Sequence, residues 1–485
     1  MQDATITSAG VHGCVRAPII GSWRAWAELL RISNLPTILS DCAVGLCMAM
    51  AAYSLWQGPA SAMDLLQDNP WLIAGVCVGM CMLYLGGMVL NGIADRHIDA
   101  LERPSRPIPS GRIPLRVAWT VAVVLMLGGL WPSSLGRAPI PEIAAATVAI
   151  WLSAYAKRSA NPALTILARG WMAIAVIAAL WWMAVPLVTP IGSDVAEDLP
   201  ENALAQMRLG MRMTYAPALV IALAAVAYNV VHSRTAWSVA LMALCRALVP
   251  IAVAMAALAP SGIFGPVRAT WIASGRIPGE LIFFLATPAV ALMLHTIALS
   301  LAARREVDAS ARRACSVCGH GLAPGDPPAR CSECGADFSA NPPSPPPAPE
   351  DRAIGIVGTV GAAALMVGVA ILTPRLTATG WRFGAAPATG QDTLLGFAVN
   401  PVMVRWAIMV SVAVPLTMFV AAALRGHSVA NGHLTRRPPG IARLVAAIAL
   451  LDAAACWALG YPVIGAVCIG LYLITRLLQR TAPAS

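Results

Sequence analysis

Long apolar runs separated by short polar connectors organise this sequence from residue 36 to residue 479. The runs are about 17 to 26 residues long, enough for a helix to cross a hydrocarbon core about 30 Å thick. They predict helical spans near 36–56, 71–91, 115–131, 139–155, 162–187 and 215–231, then near 237–259, 280–302, 353–373, 398–424, 440–458 and 461–479. The expected fold class is therefore an all-α polytopic membrane bundle of about 12 spans, within a range of 9–12.

Composition agrees with that pattern. The 485 residues are 58% hydrophobic and 12% charged, against roughly 25% charged in soluble domains. The first 30 residues are mixed and polar, without a signal-peptide architecture. The net charge of +10 reads as basic residues gathered in cytoplasmic loops, not as a nucleic-acid partner. Arg16, Arg24 and Arg31 precede the first span, and Asp64 and Asp68 occupy the next connector. Arg96, Arg103, Arg106 and Arg112 follow the second span. Lys157 with Arg158, His232 with Arg234, Arg304 with Arg305, and Arg425 with Arg436 and Arg437 then fall at alternate connectors. This alternation predicts a multi-pass protein of a cell's inner (plasma) membrane, with both termini cytoplasmic. No 20–50-residue repeat is visible, which disfavours a transporter built from duplicated halves.

Chemistry first enters at the foot of the second span, in LYLGGMVLNGIADRHIDALERPSRPIPSGRIP. Asn91, Asp95 and Asp99 are four residues apart, so a helix places them in one strip. Two carboxylates and an amide oxygen suit a hard cation such as Mg²⁺, which takes its remaining ligands from water and substrate phosphate. Arg103 and Arg106 follow closely enough to hold phosphate oxygens. The competing reading is a solvated loop whose charges only set topology.

NGIADRHIDALERPSRPIPSGRI resembles the first aspartate-rich motif of the UbiA-type intramembrane prenyltransferases. RISNLPTILSDCAVG resembles that family's first-helix signature, LMALCRALVPIAVAM a later helix, LSLAARREVDA the end of the next, and IALLDAAACWALGYP the last helical pair. The resemblance covers most of the chain outside 139–213 and 307–352. It implies catalytic roles for Asp95 and Asp99, with Asn91, Asp95 and Asp99 holding Mg²⁺ against a prenyl diphosphate. It also implies diphosphate contacts from Asn34, Arg103, Arg106, Arg234 and Arg246. The substrates implied are a prenyl diphosphate and a lipophilic or aromatic acceptor, handled within membrane lipid. Two departures stand out. Gly92 replaces the family's usual Asp, and the second acidic loop is missing, since Asp194 and Asp198 fall on the opposite side. Its expected position carries His232 and Arg234 instead. These departures motivate the alternative of a non-catalytic isoprenoid or lipid carrier, or a transporter, on the same scaffold.

The stretch 303–352 breaks the membrane pattern. Cys315 with Cys318, and Cys331 with Cys334, form two Cys-x-x-Cys knuckles that fit a tetrahedral structural Zn²⁺. In a cytoplasmic loop thiols stay reduced, which favours zinc over disulfides. The expected organisation is a membrane bundle over 1–302 with a candidate extra helix pair at 139–213, then a zinc ribbon over 303–340. A Pro-rich linker over 341–352 and closing membrane helices over 353–485 complete it. The ribbon is also a candidate docking point for a protein partner. The other cysteines read as packing residues, while Asp452 inside a late span is expected to be functional or paired.

Overall fold

The structure is a computed structural model that describes residues 22–57, 64–134, 163, 166, 170–171, 199–231, 236–259, 279–311, 349–376, 393–394, 397–398, 401–429 and 440–481. The expected spans at 139–155 and 162–187 lie outside these residues apart from four isolated positions, as do the four knuckle cysteines and Arg234.

A short helix α1 (Trp23–Leu29), capped by the Ser22 hydroxyl, leads through a single 3-10 turn (Ile32–Asn34) into α2 (Leu35–Gln57). After α3 (Asp64–Asp68) come α4 (Pro70–Ala94), α5 (Arg96–Glu102) and α6 (Leu115–Leu130). The later described helices are α7 (Leu199–Val231), α8 (Ala236–Leu258), α9 (Gly279–Ala311) and α10 (Pro349–Leu376). The last three are α11 (Pro401–Val429), α12 (Gly440–Ala458) and α13 (Pro462–Thr481). Thr393–Leu394 pairs antiparallel with Phe397–Ala398 between α10 and α11. The ten expected spans that fall on described residues are all helical. Seven are long and apolar enough to cross a membrane, and apolar stretches of α6, α7 and α11 are shorter. This is a multi-pass membrane architecture.

Helices are the only lipid-compatible solution for such segments, because each satisfies its backbone polar groups internally. Two apolar clusters organise them. One joins α1, α2, α4, α6, α7 and α8. The other joins α2 and α8 to α9, α10, α11, α12 and α13. Helices α2 and α8 each give more than one buried residue to both clusters, whereas α4 and α7 add only Ile73 and Met213 to the second, so α2 and α8 are the spine between an N-terminal and a C-terminal half. Their close approach rests on Gly45, where a side chain would strike the Pro250 carbonyl and stand 2.9 Å from the Val253 Cβ. Small residues at helix crossings are how membrane helices pack closely. Exposed apolar side chains such as Val78, Val357 and Leu477 point outward, as lipid-facing positions do. Cys42, Cys47, Cys456 and Cys468 are buried free thiols, in keeping with packing roles.

Candidate diphosphate site

Helix α4 ends at Ala94, yet its register does not. The Asp95 amide donates to the Asn91 carbonyl at 2.9 Å, and the Asp99 amide donates to the Asp95 carbonyl at 2.8 Å. Asp95 thus serves as C-cap of α4 and N-cap of α5. The strip of Asn91, Asp95 and Asp99 carries across the junction on one face. The Asn91 amide Nδ2 donates to Asp95 Oδ2 at 2.9 Å, which fixes both side chains. Arg106 Nη1 pairs with Asp99 Oδ2 at 2.8 Å, largely shielded from solvent. The connector that follows folds back on itself. Ile113 donates to the Pro107 carbonyl at 3.0 Å, and Arg112 reaches Glu28 of α1 at 2.9 Å. The Arg-Pro-rich loop is thereby tied to the N-terminal helix, closing one end of a cleft.

That cleft is lined by Glu28, Arg31, Asn91, Gly92, Asp99 and Arg106, with Leu29, Pro107 and Ile108 as its apolar walls. Arg31 was legible in the sequence only as a topology charge. Its backbone sits in the left-handed region, with φ 49° and ψ 49°, alone among the described non-glycine residues. Such a conformation costs on the order of 1 kcal/mol for a residue with a Cβ and is tolerated where the surroundings demand it. Here it turns the side chain into the cleft beside Tyr84, Arg106, Tyr228 and Asp95. Burial pulls the Arg31 guanidinium below its ordinary pKa, while Tyr84 and Asp95 act in the opposite direction. An arginine remains protonated regardless, so the cleft offers two half-buried cations, Arg31 and Arg106, next to two carboxylates.

Asn34 lies close by. It is 9% exposed, its amide neighbours the Tyr84 hydroxyl, and its Oδ1 has no hydrogen-bond partner. Arg103 caps α5 through its backbone amide. Arg246 is ion-paired with Asp41 at 2.6 Å, and its charge also acts on Tyr84, the neighbour of Arg31 and Asn34. Asp41 itself was hidden in an apolar run, although the argument that singled out Asp452 applies to it equally. Gly92 has a local explanation: a Cβ there would stand 2.6 Å from the Leu29 Cδ1.

The donor set fits a hard cation. Carboxylate and amide oxygens dominate one strip, and the open Asn34 Oδ1 is a further oxygen in the same neighbourhood. Among the described residues no three His, Cys, Asp or Glu side chains gather into a protein-only metal cage. A cation here would complete its shell with water and phosphate oxygens, as Mg²⁺ does.

Comparison with a family model matches a region that includes the strip. Residues 45–208 match the UbiA prenyltransferase family. The match runs through 139–208, part of the stretch set apart above as a candidate extra helix pair. The chain is similar to a digeranylgeranylglyceryl phosphate synthase of Saccharolobus solfataricus, 32% identical over 136 residues, covering 28% of this chain and 43% of that protein. It is similar to a 4-hydroxybenzoate octaprenyltransferase of Pectobacterium carotovorum, 29% identical over 116 residues, covering 23% of this chain and 36% of that protein. It is also similar to a protoheme IX farnesyltransferase of Shewanella amazonensis, 29% identical over 181 residues, covering 36% and 54%. The matched segments span under half the length of the first two relatives and about half of the third. No solved structure gives a significant match.

Proposed function

We propose that this chain is an intramembrane prenyltransferase that takes an isoprenoid chain from a prenyl diphosphate and passes it to a lipophilic or aromatic acceptor. The observation that carries this reading is the cleft itself: Asn91, Asp95 and Asp99 in one strip, faced by Arg31 and Arg106 at the end of a membrane bundle. Asp95 and Asp99 hold the oxygen-rich side of the site, and Mg²⁺ bound there supplies charge neutralisation of the diphosphate. Arg31 and Arg106 offer guanidinium donors to the phosphate oxygens as negative charge develops on the leaving group. Arg103 stands at the rim of the same connector. Arg234, outside the described residues, is a further candidate contact. The apolar walls keep water from the allylic carbon. The names of the three relatives attach unlike acceptors to them, so likeness supports the donor half of the reaction and leaves the acceptor to this chain's own pocket.

The test is binding. Full-length protein in lipid nanodiscs is expected to bind geranylgeranyl diphosphate saturably with Mg²⁺ and to lose that binding in EDTA. Binding that ignores the metal would favour an isoprenoid carrier, the reading to which Gly92 and the missing second acidic loop point.

The paired knuckles at Cys315, Cys318, Cys331 and Cys334 are proposed to hold a structural zinc ion in a small ribbon, which cannot fold on a hydrophobic core of its own. Purified protein should contain about one zinc per chain, measured by elemental analysis. The Cys315→Ser/Cys331→Ser double variant should lose it, and zinc retained in that variant would end the proposal. We place the ribbon and both termini on the cytoplasmic side of a bacterial inner membrane, consistent with the alternation of basic connectors.

A further inference from the structure

Roughly two helical turns into α2 from Asn34, three helices bring charged side chains together in the interior of the bundle. Asp41 of α2 is fully buried, and Asp452 of α12 is 2% exposed. Arg246 of α8 divides its guanidinium between two partners on α2: Nε pairs with Asp41 Oδ2 at 2.6 Å, and Nη2 donates to the Thr37 carbonyl at 2.8 Å. The Ser40 hydroxyl donates to Asp452 Oδ2 at 2.5 Å. The Asp41 and Asp452 carboxyl groups are close enough to act on each other. The Arg246 charge acts on both carboxyl groups.

Such a cluster is expensive for a structure that needed only stability. Replacing a buried ion pair by well-packed apolar residues is commonly neutral or stabilising, and charged groups within membrane spans tend to serve function. The connections run toward the cleft. Arg246 grips the Thr37 carbonyl, and the Thr37 hydroxyl donates to the Asn34 carbonyl at 2.7 Å. Asn34, at the end of that chain, keeps a buried carbonyl oxygen open. Drawing Arg246 toward a diphosphate would leave the Asp41 carboxyl in the bundle interior without its cation.

We infer that Asp41, Arg246 and Asp452 are positioning residues: they fix the first turn of α2 so that Asn34 presents its open oxygen to the metal–diphosphate group. Arg246 does not itself bind the diphosphate. This inference rests on the diphosphate reading above and assigns work within that site to the C-terminal half of the chain, through Asp452.

The sign of one substitution separates the alternatives. Mg²⁺-dependent binding of geranylgeranyl diphosphate is measured on full-length protein in nanodiscs, using variants that remain monodisperse with unchanged helix content. If Arg246 positions, Asp41→Asn and Arg246→Gln each weaken binding by roughly tenfold, the scale of one charge-assisted hydrogen bond. The double variant is then no worse than the poorer single one. Arg246→Lys does not rescue, because an ammonium cannot span Asp41 and the Thr37 carbonyl as a guanidinium fork does. Asn34→Ala gives a similar loss and is non-additive with Arg246→Gln. If Arg246→Gln fails to fold, Asp41→Asn and Asp452→Asn decide alone, both being expected to weaken binding. The inference is overturned if Asp41→Asn leaves binding unchanged or tightens it, the result expected when a freed Arg246 is a phosphate ligand. Additive losses, or rescue by Lys, would overturn it equally. Wild-type protein without Mg²⁺-dependent binding would instead overturn the diphosphate reading, an outcome that Asp41→Asn does not mimic.

Discussion

Asp95→Asn should weaken Mg²⁺-dependent prenyl diphosphate binding by about 100-fold or more, the consequence of removing one charged partner from a shielded site at about 3–5 kcal/mol. The substitution is close to isosteric. An Asn at 95 can still accept the 2.9 Å hydrogen bond from Asn91 Nδ2, and the backbone bonds that carry α4 into α5 do not involve the side chain. What is lost is the charge, so the fold should hold while binding fails. Asp99→Asn differs because Asp99 also holds Arg106 at 2.8 Å. Neutralising it releases a guanidinium beside the cleft, where that cation can turn toward phosphate. A smaller loss than for Asp95→Asn is expected, with binding less sensitive to Mg²⁺ as the cation takes over part of the charge. Titration of geranylgeranyl diphosphate at several Mg²⁺ concentrations reads both effects. Equal, metal-independent affinities in wild type and both variants would leave no diphosphate site at this strip.

Much of the architecture was visible in the alternation of apolar runs and basic connectors, because a hydrocarbon solvent leaves helices few alternatives. The Asn91, Asp95 and Asp99 strip was legible for a related reason: a four-residue spacing keeps one face even where α4 gives way to α5. Other features depend on tertiary placement. Arg31 enters the cleft through a left-handed backbone that no hydropathy pattern encodes, and its charge served equally well as a topology signal. The resemblance marks Arg246 as a phosphate contact, while its ion pair with Asp41, 205 positions earlier in the chain, has no signal in the sequence. Gly92 looked like a lost carboxylate in the sequence. In the structure it is also a close contact: a Cβ at 92 would stand 2.6 Å from the Leu29 Cδ1, so a side chain there requires Leu29 to move.

The same dependence on tertiary placement makes Gly45 the position where the smallest change should do the most damage. Asp41 and Arg246 lie four residues before Gly45 and Pro250, so the ion pair and the closest backbone approach are stacked one turn apart on the same pair of helices. An added methyl at 45 meets the Pro250 carbonyl and, at 2.9 Å, the Pro250 Cα. Neither can swing aside as a side-chain end could, so relief requires α2 and α8 to separate. Overpacking a core costs about 1–3 kcal/mol when side chains can adjust, and a clash against helix backbone belongs at or above the top of that range. Because α2 and α8 are shared by both apolar clusters, their separation loosens both halves and lengthens the Asp41–Arg246 pair. Gly45→Ala should therefore lower the thermal midpoint by several degrees and weaken diphosphate binding in the fraction that folds. Gly368→Ala supplies the control. It also lies in a long helix, and an added Cβ there meets nothing within 4 Å. Helix propensity alone should make that change neutral or stabilising by up to about 1 kcal/mol. If the two variants melted alike, the spine would not be set by contact at Gly45, and the ion pair one turn away would have to hold α2 to α8 unaided.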